Sequence, residues 1–474
     1  MEYNYVSQSV SPGGVISMRI VLVGAGEVGY SVAKNLSEDG HNIIVIEENG
    51  DKAARVDADL NVQVIRGSGT TPSILAQAGI RPDCSDVSML IACTNKDEVN
   101  IMACWIAKKL GVKHVIARTK GLEFTDTDTW AKSLGIDLMI SPERSVAKEV
   151  ESLLEVRGAI RATELAGGKA GVYLFKVNEG ASACGITLAA LRQQNEELNT
   201  IIICIKRGNE SFVPRALDVL QPGDLCYTIC YRNQVNKIED IFNIEHTTSL
   251  KNVIINGGGT LGRQIAKRIH VRWPGLAIKI FDPDKDKCCK IAPEVPFALI
   301  INGDGSDASL LRAEGIDNGA AVISVTDSDE PNLMLSVLGK TMGALKAISV
   351  VYKTNYLNMI NHIPLDAIVN RNQALADGII RNVRFPGSSH MLMLFDEIDA
   401  ETVEITLDEN SIVDTKTLKQ LKLPSGSVIG LIERKNELLI PGGDTELKAG
   451  DKVYLFASSE IMPEAIQHLG VDPE

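Results

Sequence analysis

The chain repeats itself. Met18–Gly29 reads MRIVLVGAGEVG and Lys251–Gly262 reads KNVIINGGGTLG. VIRGSGTTPSILAQAGI (Val64–Ile80) returns as LIINGDGSDASLLRAEGI (Leu299–Ile316), and IACTNKDEVNIMA (Ile91–Ala103) as ISVTDSDEPNLML (Ile323–Leu335). LQPGDLCYTI (Leu220–Ile229) returns as LKAGDKVYLF (Leu447–Phe456). The order is the same throughout, and the offset stays between about 227 and 236 residues. Chance motif matches do not keep both order and spacing; a duplication does. Each feature of one half therefore has a counterpart in the other against which it can be judged.

Each half divides again. Short apolar runs alternating with helical patterns signal βαβ units on a parallel sheet. Shorter β-branched strands with Gly and Pro turns follow. The fold class expected is α/β: tandem duplicated Rossmann-like doubly wound parallel sheets, each followed by a small α+β lobe. The divisions expected are a flexible lead-in (1–17), a first nucleotide domain (18–155), a first small lobe (156–245), a second nucleotide domain (251–385) and a second small lobe (395–474). Glu245–Ser249 reads as a polar junction between halves. Leu421–Phe456 reads as a meander of strands turned at Pro-Ser-Gly, Lys-Asn and Gly-Gly.

Composition narrows the function classes. The formal net charge is -13, the wrong sign for a nucleic-acid footprint or for broad adhesion to anionic lipid. No apolar run approaches the roughly 18 residues that span a bilayer. The first residues lack the basic cluster and apolar core of a secretory signal. The 9 cysteines contain no CxxC pair and read as reduced, mostly buried thiols.

The glycine turns carry the chemistry. Gly24, Gly26 and Gly29 follow the strand Arg19–Val23 and open a helix at Glu27, with Ala25 and Val28 between them. Gly257, Gly258, Gly259, Thr260, Leu261 and Gly262 repeat the pattern. In this fingerprint the first glycine makes the tight turn, the second lets backbone N–H groups approach a pyrophosphate, and the third lets helix and strand pack closely. The helix N-terminus then offers unpaired donors to phosphate. Glu47 ends the next strand 18 residues past Gly29, and Asp282 does so 20 residues past Gly262. An acid there bonds ribose hydroxyls and repels a 2′-phosphate, which favours NAD or ATP-type ligands over NADP.

Further candidates lie at later strand ends. Gly67 and Gly303 would let adenine lie against backbone. Thr94 and Asn95, with Thr326 and Asp327, would face the ribose or diphosphate, and Arg118 would neutralise a phosphate. Each position also has a plain structural reading as a turn glycine, a helix cap or a surface charge. The copies are unequal: the second lacks an arginine near Val351–Lys353, and it carries Asp304 and Asp327 in place of Ser68 and Asn95. More negative charge and one fewer cation should weaken phosphate binding at the second site.

GAGEVG, VIEEN, GSGT, ACTNKDEVNIMA and VIARTK in order, followed by a small lobe ending in PGD, resemble a regulator of potassium conductance (RCK) domain. The doubled arrangement resembles the family of Trk-system potassium-uptake regulatory proteins, over nearly all of Met18–Gly470. The resemblance implies a cytoplasmic protein, peripheral at the inner face of the membrane. It implies binding of NAD(H) or ATP/ADP, and assembly into a homo-oligomeric ring, a tetramer, under a separate potassium-translocating integral membrane protein. By motif it carries over Gly24–Val28, Glu47, Thr94, Asn95 and Arg118 in the first half. In the second half it carries over Gly257–Leu261 and Asp282, then Thr326 and Asp327.

Two rivals remain open. An NAD-dependent oxidoreductase needs a proton relay, yet none of His41, His114, His246, His270, His362, His390 and His468 recurs at matching places. A free-standing ligand sensor would use the small lobes, where Gly185–Leu188 and Asn410–Val413 occupy matching positions and also read as simple turns. The pairs Asp282/Asp284 and Asp327/Asp329 show no zinc or calcium ligand spacing.

Overall fold

The computed structural model describes residues 17–82, 84–120, 127–156, 158–208, 210–242, 249–384, 389–395, 400–407 and 416–470. Most of the expected lead-in, the junction residues 245–248 with His246, and the turn 410–413 lie outside the described residues.

The first sheet is parallel, in the order β3-β2-β1-β6-β7-β8. Its strands are β1 (Arg19–Val23), β2 (Asn42–Glu47), β3 (Gln63–Arg66), β6 (Met89–Ala92), β7 (His114–Arg118) and β8 (Leu138–Ile140). A short hairpin, β4 (Ile80–Arg81) and β5 (Cys84–Ser85), precedes β6. The central strands are near-continuous Val, Ile and Leu because helices cover both faces of a parallel sheet. Those helices are α1 (Glu27–Glu38), α2 (Gly50–Asp59), α3 (Pro72–Gln77), α4 (Asp97–Lys109), α5 (Thr127–Leu134) and α6 (Pro142–Glu155). The chain crosses from β3 to β6 on the far side of β1. The crevice beside β1 at the carboxyl edge is therefore the switch point where such sheets bind ligands.

The first small lobe is an antiparallel sheet, β12-β11-β13-β10-β9. It contains β9 (Arg161–Leu165), β10 (Ala170–Lys176), α7 (Leu188–Gln194), β11 (Thr200–Arg207), β12 (Glu210–Phe212), β13 (Leu225–Tyr231) and α8 (Val235–Ile241).

The second parallel sheet repeats the order, β16-β15-β14-β17-β18-β19. Its elements are β14 (Asn252–Asn256), α9 (Thr260–Arg272), β15 (Ala277–Asp282), α10 (Lys285–Ile291), β16 (Leu299–Asn302) and α11 (Ala308–Ala313). They continue with β17 (Ala320–Ser324), α12 (Asp329–Thr341), β18 (Lys346–Val351), β19 (Ala367–Asn370) and α13 (Arg371–Arg384).

The second small lobe comprises β20 (Ser389–Phe395), β21 (Ala400–Thr406), α14 (Leu418–Leu421), β22 (Ser427–Arg434), β23 (Glu437–Leu439), β24 (Lys452–Ser458) and α15 (Met462–His468). Its order, β20-β21-β24-β22-β23, corrects the meander expected for Leu421–Phe456. The β22–β23 hairpin forms at Lys435-Asn436, both at positive φ, but β24 then crosses to pair with β22 and β21. The reason is burial: Val453–Ala457 is shielded on both faces, so β24 takes the centre, and three-residue β23 is left at the edge.

Compact packing does not follow chain order. One unit contains the first parallel sheet with Asn372–Arg384 of α13, and the other runs Val146–Arg371 and Phe385–Val471. In the first unit the buried face of α13 presents Leu375, Ala376, Ile379, Ile380 and Val383.

In the second unit the two small lobes share one core. It joins Val172, Tyr227 and Ile229 of the first lobe to Leu431, Tyr454 and Phe456 of the second. The Tyr231 hydroxyl donates to Leu438 O at 2.5 Å and Lys169 Nζ to Asn436 O at 3.1 Å. The second half of α6 is tied into this unit by charge. Arg268 Nε on α9 donates to Glu151 Oε2 at 2.6 Å, and Glu155 pairs with Arg272 at 3.1 Å and with Arg232. Beyond the end of α6, fully buried Lys346 donates to Ala159 O at 2.7 Å.

Candidate functional site

Both glycine elbows sit where β1 and β14 end. Gly24 has φ +99° and its N–H donates to Ile46 O at 2.8 Å; Gly257 has φ +116° and donates to Phe281 O at 2.9 Å. L side chains avoid that conformation, and a Cβ would also press on Thr94 N at 3.0 Å or Val325 O at 2.9 Å. Gly26 and Gly259 precede the first turns of α1 and α9 without side-chain caps. A methyl on either would meet nothing within 4 Å, so this is open ground before the uncovered N–H groups. A methyl on Gly29 or Gly262 would strike the carbonyl oxygen of Gly24 or Gly257. Three glycines thus answer three needs, identically in both copies.

The residues between them divide by direction. Ala25, Val28 and Leu261 are buried in the core, whereas Glu27 is exposed and pairs with Arg55 at 3.4 Å. Thr260 is half-buried at the start of α9. Gly258 replaces Ala25, and its missing methyl is replaced by Ile291: a Cβ on Gly258 would lie 2.5 Å from Ile291 Cδ1.

The strand-end acids differ more. Glu47 is half-buried and accepts from the N–H groups of Ala25 at 2.5 Å and Asn49 at 2.8 Å. Asp282 is 3% exposed and accepts from Gly258 N at 2.9 Å, Asp284 N at 3.1 Å and Lys287 Nζ at 2.6 Å. Burial pushes its carboxyl up, but the Lys287 ammonium and the Asp284 and Gly258 N–H groups outweigh that and hold it below its ordinary value. Both acids brace the elbow itself. Of the two, only Glu47 keeps appreciable exposure.

At the later strand ends, Gly67 follows β3 and Gly303 follows β16. Cβ atoms there would meet Ile74 at 2.6 Å and Leu310 at 2.5 Å. Exposed Asp304 accepts from Ser306 N at 2.8 Å, which lowers its carboxyl from the ordinary value.

The hydroxyls of Thr94 and Thr326 are committed to structure. They donate to Asn100 Oδ1 at 2.7 Å and Asn332 Oδ1 at 2.6 Å. The same two buried asparagines also accept from Thr94 N and Thr326 N. They donate to Thr94 O and Thr326 O, and to the strand-end carbonyls of Arg118 and Val350. Asn100 and Asn332 were not among the expected site residues. Their recurrence at the same place in DEVN and DEPN is the signal that would have found them.

This bonding pattern also fixes the counterpart of Arg118 as Val350. Arg118 is 9% exposed, so its guanidinium lies within the protein at the end of β7 rather than on its surface. Lys120, also missed, reaches Asn95 Oδ1 at 3.1 Å from a backbone N–H held by Asp97 at 2.9 Å. The second copy has Tyr352 at that place, its N–H held by Asp329 at 2.8 Å. Its neighbour Lys353 is paired to Glu330 at 3.3 Å. The Tyr356 hydroxyl, a backbone N–H and Lys353 bring the Glu330 carboxyl down to about 2. Asp327 stays exposed. At the second elbow Arg263 donates to Gly258 O at 3.0 Å and pairs with Glu294 at 3.1 Å, and Lys287 and Lys353 likewise already have carboxylate partners.

Among the described residues no cluster of His, Cys, Asp and Glu has the geometry to hold a metal, and no helix is long and apolar enough to cross a membrane. Asp282, Asp284 and Asp329 accept from backbone N–H groups instead. Each half thus presents uncapped backbone amides at a helix N-terminus, an arrangement suited to binding an anion.

The TrkA-N domain family matches residues 20–142 and 253–371, and the TrkA-C domain family matches 172–243 and 402–470. The Trk system potassium uptake protein TrkA homolog 2 of Methanosarcina mazei is 32% identical over 455 residues, 94% of this chain and 98% of that protein. The homolog of Archaeoglobus fulgidus is 33% identical, covering 93% and 97%. The Halomonas elongata TrkA protein is 28% identical over 93% and 95%. Among solved structures, the GsuK channel bound to NAD aligns with a TM-score of 0.58 at 18% identity, over 98% of this chain and 81% of that one. The GsuK RCK domain aligns at 0.58 and 17%, over 99% and 98%.

Proposed function

The chain belongs to the TrkA family of Trk potassium-uptake proteins, with two TrkA-N domains each followed by a TrkA-C domain, and from that premise we propose a nucleotide-binding regulatory subunit that gates a separate membrane potassium-uptake protein. The ligand is NAD(H) or ATP/ADP, seated with its diphosphate on the N–H groups after Gly26. The observation that carries this reading is the open, uncapped start of α1 beside the braced acid Glu47. The GsuK channel, whose structure was solved with NAD bound, shares the fold. The protein is not an enzyme: the nucleotide is bound and released unchanged. It works from the cytoplasmic face as a homo-oligomeric ring, a tetramer, against its membrane partner. Nucleotide biases one ring geometry over another only through unequal affinity for the two.

The first site is the tighter one. Glu47 is more exposed than Asp282, and Arg118 and Lys120 have no cationic counterparts at Val350 and Tyr352. Calorimetry on the full chain with NADH and with ATP tests binding, and NADH absorbance over time tests consumption. Rubidium uptake in cells carrying the intact or elbow-mutated chain tests gating. Turnover of NADH, or uptake indifferent to the elbow, refutes the proposal.

A further inference from the structure

The two elbows are built from matching residues, yet their acids keep different company. Asn49 and Asp284 cap α2 and α10 in the same way, each accepting from two backbone N–H groups, so Lys52 and Lys287 hold the same place in the first turn. Lys52 is exposed and makes no ion pair among the described residues. Lys287 instead closes on the second acid, with Nζ 2.6 Å from Asp282 Oδ2.

The exchange of Ala25 for Gly258 makes room for this. A methyl on Gly258 would stand 3.1 Å from Asp282 Oδ2 and 2.5 Å from Ile291 Cδ1. Without it the shorter acid sits deeper than Glu47, and buried Ile291 packs against the turn. Arg263 adds a strap: its Nη1 donates to Gly258 O at 3.0 Å and its Nε pairs with Glu294 at 3.1 Å. The matching Tyr30 turns to Asp59 at 3.1 Å. Asp282 therefore accepts from two backbone N–H groups and an ammonium, whereas Glu47 accepts from two backbone N–H groups.

We propose that Lys287 is an internal competitor at the second elbow: its ammonium takes the acceptor position on Asp282 that a ribose hydroxyl would use, so each chain holds one nucleotide, at the first elbow. This rests on the nucleotide reading above and adds the residue that decides which elbow is filled. To enter the second elbow, a neutral hydroxyl must displace a cation from a carboxylate. Charge-assisted hydrogen bonds are about twice as strong as neutral ones, and the burial of Asp282 keeps salt from screening the pair. A ligand that needs the latch open meets only the open fraction of molecules. At one part in ten to one in a hundred, its apparent affinity falls roughly 10- to 100-fold.

Calorimetric titration of NADH into full-length chains tests the latch. The wild type should bind one NADH per chain, in an event that Gly26→Ala weakens and Gly259→Ala does not. Lys287→Met keeps the stem, removes the ammonium and leaves Asp282 with the two backbone donors that Glu47 has. It should bring in a second NADH per chain, at least tenfold tighter than any second event in the wild type. Lys52→Met should still bind one. Two wild-type events of equal affinity, a second event in Lys52→Met as well, or a folded Lys287→Met chain that still binds one NADH overturns the latch and leaves nucleotide binding standing. No NADH bound by either the wild type or Lys287→Met overturns both. If Lys287→Met fails to fold, the wild-type titration decides: two events, or loss of the single event in Gly259→Ala, overturns the latch.

Discussion

Substitution of Gly26 by alanine separates binding from folding. Gly26 has φ -67° and ψ -178°, which alanine adopts freely, and a methyl there meets nothing within 4 Å. Losing glycine before a helix costs roughly 0.5–1 kcal/mol, while the stiffer unfolded chain returns about 0.4–1 kcal/mol. The two nearly cancel, so the thermal midpoint should hardly move. The methyl does, however, stand on the ground over which a diphosphate oxygen must approach the α1 amides. Losing one charge-assisted hydrogen bond weakens binding by about 1.5–3 kcal/mol, or roughly 10- to 150-fold. Gly29→Ala should do the opposite, unfolding the elbow outright through its collision with Gly24 O. Gly259→Ala, equally free of contacts, should remove only whatever weaker binding the second elbow contributes. Calorimetric titration of NADH and ATP into the three full-length variants, beside thermal melts, measures all of this. If Gly26→Ala binds within about twofold of wild type, the diphosphate does not lie on this elbow; if Gly259→Ala is the more damaging change, the ranking of the sites is reversed.

Three further outcomes follow from the geometry. Asn100→Ala leaves the Arg118 carbonyl and the Thr94 loop without their buried partner, and should cost roughly 2–4 kcal/mol in urea unfolding. Asp282 has a depressed carboxyl, so its contribution to stability is full above the ordinary value of 3.8 and fades as pH falls through the lower folded value. Asp282→Asn should therefore destabilise the chain at neutral pH, and its urea midpoints should converge with wild type on acidification below about pH 4. Among the thiols, burial pushes Cys93 and Cys204 up to about 12, whereas Cys289 is exposed. A thiol-reactive dye should label Cys289 first in the native chain, and Cys289→Ser should abolish that fast phase.

What could be read from the sequence was what the backbone alone dictates. The spacing Gly24-Gly26-Gly29, its copy at Gly257, the acids at Glu47 and Asp282, and the doubling of a parallel α/β sheet follow from local pattern and repetition. Side-chain commitments did not follow. Thr94 and Thr326 look like free hydroxyls until Asn100 and Asn332 are seen to hold them, since an Asn in the first turns of an amphipathic helix has no periodic signature. Arg118 looks like a surface cation because a strand-end arginine usually is one, and only packing around β7 places it inside. Lys287 closes on Asp282 from an adjacent helix, a contact no spacing rule encodes. The central position of β24 depended on which of several apolar strands is shielded on both faces, and that is decided by the whole lobe.

The assignment of Val146–Glu155 and Asn372–Arg384 to compact units dominated by the opposite half has a consequence for assembly. Neither half of the chain by itself supplies every element of the unit it dominates; two separate half-chains would have to exchange a helix, as in a domain swap. Within one chain that exchange is unimolecular, so the completeness of each unit does not depend on protein concentration.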